Sequence, residues 1–249
     1  NSSEIEKWPE LERFILHQIF ILDQNYKKYL KEYNFHKLYK ELLNFCSLDL
    51  SAFYFDIRKD SLYCDDEKSY RRNTSLSLLS LTLDILLKWF APILSFTTEE
   101  IFQIVNTGKT PSIHLENFPN IPSKWKNEKL SKKWDKLKIT RNVVNAAIEI
   151  KRSNKEVGSS LEADVQVYLD DDYLKLCSGI DLSELFITSK AEAKPKNKNE
   201  NFFKIEGVDN INVKVKKAAG HKCPRCWKIV EDTCDRCDKA TKNNHDAKE

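Results

Sequence analysis

From Leu11 the apolar positions Leu11, Phe14, Ile15, Ile19, Leu22, Tyr26, Tyr29, Leu30 and Tyr33 recur at three- and four-residue steps, which places them on one face of a helix. A second run follows Asn34, whose short polar side chain suits a helix N-cap, and carries Leu38, Tyr39, Leu42, Phe45, Cys46 and Phe53 toward Ile57. Between Leu76 and Phe90 leucines fall on nearly every face, the pattern of a helix buried among others, and Pro92 closes or kinks it. Thr97 with Glu100 three residues later reads as a capping box opening a short helix through Val105. A further helix is predicted over Glu128–Ser153, with Trp134, Leu137, Val144 and Ile148 inward and Arg141, Lys151 and Arg152 outward. Together these elements predict a mainly α helical bundle over residues 1–155.

Past Gly158 the period changes to two. Ala163, Val165, Val167 and Leu169 alternate with Glu162, Asp164, Gln166 and Tyr168, as in a half-buried strand. Short helical pieces are expected at Asp171–Cys177 and Leu182–Leu185, then two strands, Phe202–Glu206 and Ile211–Val215, as a hairpin across Gly207–Asn210. The Lys-, Asn- and Glu-rich stretch Ala191–Asn201 is expected to be a loop or linker. Residues 156–218 thus form a small α/β module, followed by a cysteine-rich segment over 219–240 and a polar tail, 241–249.

That segment carries Cys-Pro-Arg-Cys at 223–226 and Cys-Asp-Arg-Cys at 234–237. Two residues between the cysteines of a hook let both sulfurs converge on one ion, and two hooks supply the four soft ligands of a tetrahedral zinc site. A redox pair would be a single hook beside a strand-helix unit, disulfides would need an oxidising compartment, and the tighter cysteine runs of ferredoxins are missing. With Cys223, Cys226, Cys234 and Cys237 filling every position, the zinc is structural: no ligand site remains for an activated water. His221 and His245 read as surface histidines, and Cys46, Cys64 and Cys177 as reduced packing thiols.

Over 249 residues, 41% apolar and 32% charged side chains describe a folded globular protein, with no apolar run fit to span a bilayer and no secretory pattern at the N-terminus. A cytoplasmic location is expected. Methionine is absent even at position 1, so the chain is expected to be a piece of a longer parent. The net charge of +3 is small, but from Lys214 to Lys228 there are six cations and no acid. A zinc knuckle in a basic stretch, with Trp227 beside its first hook, has the parts for phosphate contact and base stacking. No phosphate-cradling glycine loop or Gly-x-Ser-x-Gly elbow occurs, and His17, His36 and His114 lack spaced partners. Glu99 and Glu100 serve the positive end of a helix. No catalytic residue is assigned, and the chain reads as a binding module.

Several stretches together resemble the bacterial isoleucyl-tRNA synthetases in their C-terminal third: Asp49–Ile57 with Lys59–Tyr63; Arg71-Arg72 ahead of the leucine-rich helix; Trp89 and Ala91–Thr97 with Glu99–Ile101; Arg141, Asn145, Glu149, Arg152 and Lys155 with Gly158–Ala163; and Cys223–Trp227. The Ala-Pro-Ile-Leu-Ser-Phe-Thr-x-Glu-Glu pattern is shared with valyl and leucyl relatives, whereas Phe-Tyr-x-Asp-Ile-x-Lys-Asp and the cysteine knuckle point to isoleucine. The loop between the hooks, Trp227–Thr233, is shorter than in familiar members. The resemblance implies a monomeric parent that uses ATP to attach isoleucine to its tRNA. ATP would act only in the parent's catalytic domain, since the Lys-Met-Ser-Lys-Ser loop and His-x-Gly-His motif are missing from this chain. It implies that this piece grips the anticodon stem and loop; unpaired bases stack on aromatic or guanidinium planes while a stem is held by its phosphates, so Trp227 and Arg225 are expected on bases and Arg71, Arg72, Arg141, Arg152 and Lys155 on the backbone. A zinc-stapled protein-interaction module or a freestanding RNA-binding protein is the alternative.

Overall fold

The computed structural model describes residues 5–106, 110–196 and 202–245 and divides into two compact units, Asn1–Phe55 with Lys68–Glu128 and Asp56–Glu67 with Lys129–Glu249. Among the described residues, the regular elements of the first are all helical. Its elements are α1 (Glu10–Lys31), α2 (Phe35–Asn44), a π-helical stretch (Phe45–Phe55), α4 (Tyr70–Phe90) and α5 (Ser95–Val105); α3 (Asp56–Cys64) belongs to the other unit. Asn34 caps α2 as its position suggests, its side chain accepting from the Lys37 amide at 3.3 Å. Past Phe45 the coil widens: of its buried residues Phe45, Leu50, Phe53 and Tyr54, the first, second and last stand five and four apart and share a face only when a turn holds more residues than an α-helix allows. The apolar pattern alone suggests a single α-helix here.

Phe14, Ile15, Leu16, Ile19, Leu38, Leu42, Tyr54, Leu78 and Trp89 form the buried core of this unit. Tyr26 stacks on Trp89 at 5.5 Å and donates its hydroxyl to the Trp89 carbonyl at 3.1 Å. The fully buried Glu12 accepts from Tyr54 Oη and Ser75 Oγ, each at 3.1 Å, so its carboxylate is held by hydrogen bonds. His17 is structural too: its Nδ1 accepts from the Asn127 amide at 3.0 Å.

Two expectations change. α4 opens at Tyr70 with Ser69 as cap, and Leu76 and Leu83 face solvent, so its leucines are not buried on every side. α5 starts at Ser95, two residues before Thr97, which lies inside the helix and caps nothing. Glu99 instead reaches out of the helix, accepting from Ser112 Oγ at 2.9 Å and the Ile113 amide at 3.0 Å.

The second unit holds α3, the long helix α6 (Glu128–Ser153) from Lys129 onward, and a mixed sheet. Its central strand β1 (Ala163–Leu169) buries Ala163, Val165, Val167 and Leu169 completely. It pairs in parallel with β2 (Lys190–Pro195) and antiparallel with β3 (Ile211–Lys217), placing Val167 between Ala193 and Val213. The crossover from β1 to β2 carries α7 (Asp171–Cys177) and α8 (Leu182–Phe186), as a parallel pair requires. β2 replaces the start of the expected linker; residues 197–201 of that linker lie outside the described residues. The strand expected at Phe202–Glu206 reduces to one bridge, Phe203 to Val213. Lys-Ala-Glu-Ala-Lys-Pro is a half-polar edge whose place is set by the ladder with β1; its alternation rests on alanines too small to stand out from a loop.

Candidate metal centre and nucleic-acid interface

Beyond β3 the chain makes a two-stranded hairpin, β4 (His221–Lys222) against β5 (Ile229–Val230), with the first cysteine hook at its tip. Gly220 opens it at φ 121°, and a Cβ there would meet the Val230 carbonyl oxygen at 2.2 Å, so only glycine fits. The Cys223 amide donates to the Lys228 carbonyl at 2.9 Å and the Trp227 amide to the Cys223 carbonyl at 3.0 Å, folding the hook into a tight knuckle. The second hook enters α9 (Asp235–His245), where the three-residue step puts Cys234 and Cys237 one turn apart. This helix continues through residues expected to be a polar tail; positions 246–249 lie outside the described residues.

The four thiols converge. All Sγ atoms lie within 4.8 Å of one another, and Cys226 and Cys234 are 3.8 Å apart. A tetrahedral ion with sulfur ligands at about 2.3 Å has sulfur-sulfur edges of about 3.8 Å, so the cluster has the dimensions of a four-thiolate metal site. Burial opposes ionisation of Cys223, yet amide donation from Cys226 and Arg225 outweighs it and lowers that thiol's pKa to about 7. Burial first of all pushes Cys226, Cys234 and Cys237 upward. By themselves these three thiols resist ionising, so four thiolates would stand together only around a cation.

Each hook has an arginine just before its second cysteine, and both arginines clasp α3. Arg225 donates to the carbonyls of Cys64 and of Tyr63, the latter at 3.2 Å, and to Cys237 Sγ at 3.7 Å. A guanidinium on the last carbonyls of a helix meets orphan acceptors at the negative end of its dipole. Arg236 grips Asp60 with both terminal nitrogens, at 2.5 and 2.8 Å, and touches Asp65 at 3.4 Å. Cys64 packs among the knuckle thiols, and burial, aided by Asp60, raises its pKa to about 11, keeping it a neutral thiol. The repeated Arg-Cys at the end of each hook was the available sign of this clasp, but nothing local in the sequence points to α3 as its target.

Trp227 stands at φ 64°, a conformation rare for a bulky residue, with 59% of its surface exposed and Lys222 Nζ 5.3 Å from its ring centroid. Of the other predicted contacts, Arg71 and Arg72 lie in the first turn of α4, in the helical unit. Arg141 is not outward as expected: it is buried, bonded to Asp56 at 2.6 Å and to the Leu185 carbonyl at 2.8 Å, and burial lowers its pKa. Arg152 pairs with Glu149 at 2.9 Å on the surface. Lys155 takes the left-handed position ending α6, at φ 61°, with the Glu156 amide returning to the Lys151 carbonyl at 2.9 Å. A buried pair that the sequence did not reveal, Arg58 with Glu184 at 2.7 Å, ties α3 to α8.

The site thus joins four convergent thiols to an exposed aromatic ring, in a chain that also carries a helical unit, the make-up of a binding module. The family comparison gives the same class: the model described as the anticodon-binding domain of tRNA ligase matches residues 12–168, and the chain belongs to that family. It is 49% identical over 235 residues to the isoleucine-tRNA ligase of Pelagibacter ubique, aligning 94% of this chain with 25% of that protein. With the isoleucine-tRNA ligases of Agrobacterium fabrum and Bartonella quintana it shares 41% and 40% identity, over 90% of this chain and 23% of theirs. The chain thus spans about a quarter of the length of these relatives. Among the described residues no helix is long and apolar enough to cross a membrane.

Proposed function

We propose that this chain grips the anticodon stem and loop of an isoleucine tRNA, as part of a cytoplasmic, monomeric ligase that attaches isoleucine to that tRNA with ATP in a catalytic domain outside this chain. The observation that carries the reading is Trp227, exposed on the knuckle of a chain that belongs to an anticodon-binding family. Zinc is the ion that suits Cys223, Cys226, Cys234 and Cys237: four soft ligands at tetrahedral spacing, with no position left for chemistry. When bound, it supplies shape and charge neutralisation. Cys223, Cys226, Cys234 and Cys237 would thereby fix the loop on which Trp227 stands exposed to an unpaired base.

Arg225 remains a base-contact candidate through donors not used on α3, and Arg71, Arg72, Arg152 and Lys155 remain backbone candidates. Arg141 acts as a positioning residue, since its guanidinium is committed to Asp56 and Leu185. The test is binding of the zinc-loaded chain to an isoleucine-tRNA anticodon stem-loop and to a valine one across a salt series. Preference for the isoleucine hairpin is expected, and Trp227→Ala is expected to weaken binding by about 1–3 kcal/mol, the cost of one lost base stack. A folded, zinc-loaded variant with unchanged affinity would remove Trp227 from the interface. Salt-insensitive binding of another protein, with no RNA bound, would favour the interaction-module alternative.

A further inference from the structure

Several lysines of the second unit are matched with acids: Lys151 with Glu156 at 2.8 Å, Lys190 with Glu231, Lys194 with Glu192 at 3.1 Å, and Lys216 with Asp164 at 3.2 Å. Three on the N-terminal half of α6 are not. Lys129, Lys132 and Lys136 are exposed and form no ion pair among the described residues. At about 100° per residue they fall within about 60° of one another around the helix, on one face. Further along α6 that same face is buried at Val143 and Ala147, so the stripe occupies the part of the helix where the face comes free of the core. Lys136 also lies over the Tyr173 ring of α7, 5.3 Å from its centroid, which gives its stem a fixed support.

We infer that Lys129, Lys132 and Lys136 form a phosphate track for the stem of the bound RNA, separate from the base-contacting knuckle. This rests on the RNA-binding reading above. The stripe lies inside the segment that matches the anticodon-binding family. From Lys129 to Lys136 the helix rises about 10 Å, and three flexible ammonium groups over that length can neutralise roughly two or three successive phosphates of one strand. Further along the helix Arg141 is poorly suited to holding phosphates, because it is buried in its pair with Asp56. The track carries no sequence information; it sets how the stem lies, while Trp227 meets the loop.

The experiment titrates the zinc-loaded chain with the isoleucine-tRNA anticodon stem-loop by fluorescence anisotropy over a range of salt. It compares wild type, Lys129→Ala/Lys132→Ala/Lys136→Ala, the corresponding triple arginine variant and Trp227→Ala. The alanine triple should lose tenfold or more in affinity near physiological salt, and its slope of log affinity against log salt should be shallower by roughly 2 to 3, the value for three lost contacts at about 0.7–0.9 each. The arginine triple should retain the wild-type slope. Trp227→Ala should lower affinity without changing the slope. An alanine triple with wild-type slope and affinity overturns the track and leaves the knuckle reading standing. A shallower slope together with an inert Trp227→Ala sustains the track and overturns base stacking. A wild-type chain that binds no RNA overturns both.

Discussion

The helical unit and the knuckle end of the second unit solve the same problem, fixing a surface in space, with different materials. In the helical unit apolar side chains do it: Phe14, Ile15, Leu38, Leu42 and Trp89 are buried, and the fully buried carboxylate of Glu12 is held by two hydroxyls. At the knuckle the interior is thiols with Val230, and the contacts that hold it to α3 are the hydrogen bonds and ion pairs of Arg225 and Arg236. A segment of some twenty residues is far below the length at which a core alone sustains a fold, so metal and charge replace it. The difference teaches where each part is vulnerable. The helical unit should answer to cavities, and the knuckle to chelation and loss of charge.

The largest expected effect comes from removing the ion. Structural zinc contributes on the order of 10 kcal/mol in small sites, so chelation, or Cys226→Ser, should unfold the knuckle and cost at least tenfold in RNA affinity while the far-ultraviolet dichroism of the helices changes little. Retention of affinity in metal-free protein, with metal content checked by elemental analysis, would break the comparison. Next is Trp89→Ala, which opens a cavity beneath Tyr26 and should destabilise the helical unit by about 3–5 kcal/mol in denaturant unfolding. Zinc stoichiometry at the knuckle should stay at one ion. A coincident loss of zinc would mean that the two regions do not fail separately.

Smaller again is Arg236→Met. It strips Asp60 of its bidentate partner at a site that is only partly buried, and a loss of about 1–2 kcal/mol is expected. Hydrogen exchange should quicken at the end of α3 and in α9, and the cycle with Asp60→Asn should show the two losses to be shared. Unchanged protection would reduce the clasp to a surface pair.

Long elements with a clear apolar period were legible: the sequence places a helix at Glu128–Ser153 and a strand at Ala163–Leu169, and both stand at those bounds. The thiol quartet was legible because two residues between ligands is a local geometric requirement, met within each hook. Elements whose stability comes from a partner were not. β2 alternates charged residues with nothing larger than alanine and proline and exists through its ladder with β1, while the widened turn at Phe45–Phe55 follows from where its buried side chains must point.

What the sequence by itself determined, then, is everything written in short-range pattern: helix periods, caps such as Asn34, the four sulfur ligands and the anticodon-binding family. Only the tertiary structure decided which cations are committed inside the protein and which are left for a ligand. Arginines at positions 141, 225 and 236 look equally basic along the chain, yet their acceptors, Asp56 and Leu185, Tyr63 and Cys64, and Asp60, lie from 44 to 176 residues away. Such pairings depend on distance in space, which charge along a sequence does not encode, and that is why the exposed lysines of α6 emerge as ligand candidates only after the pairs are made.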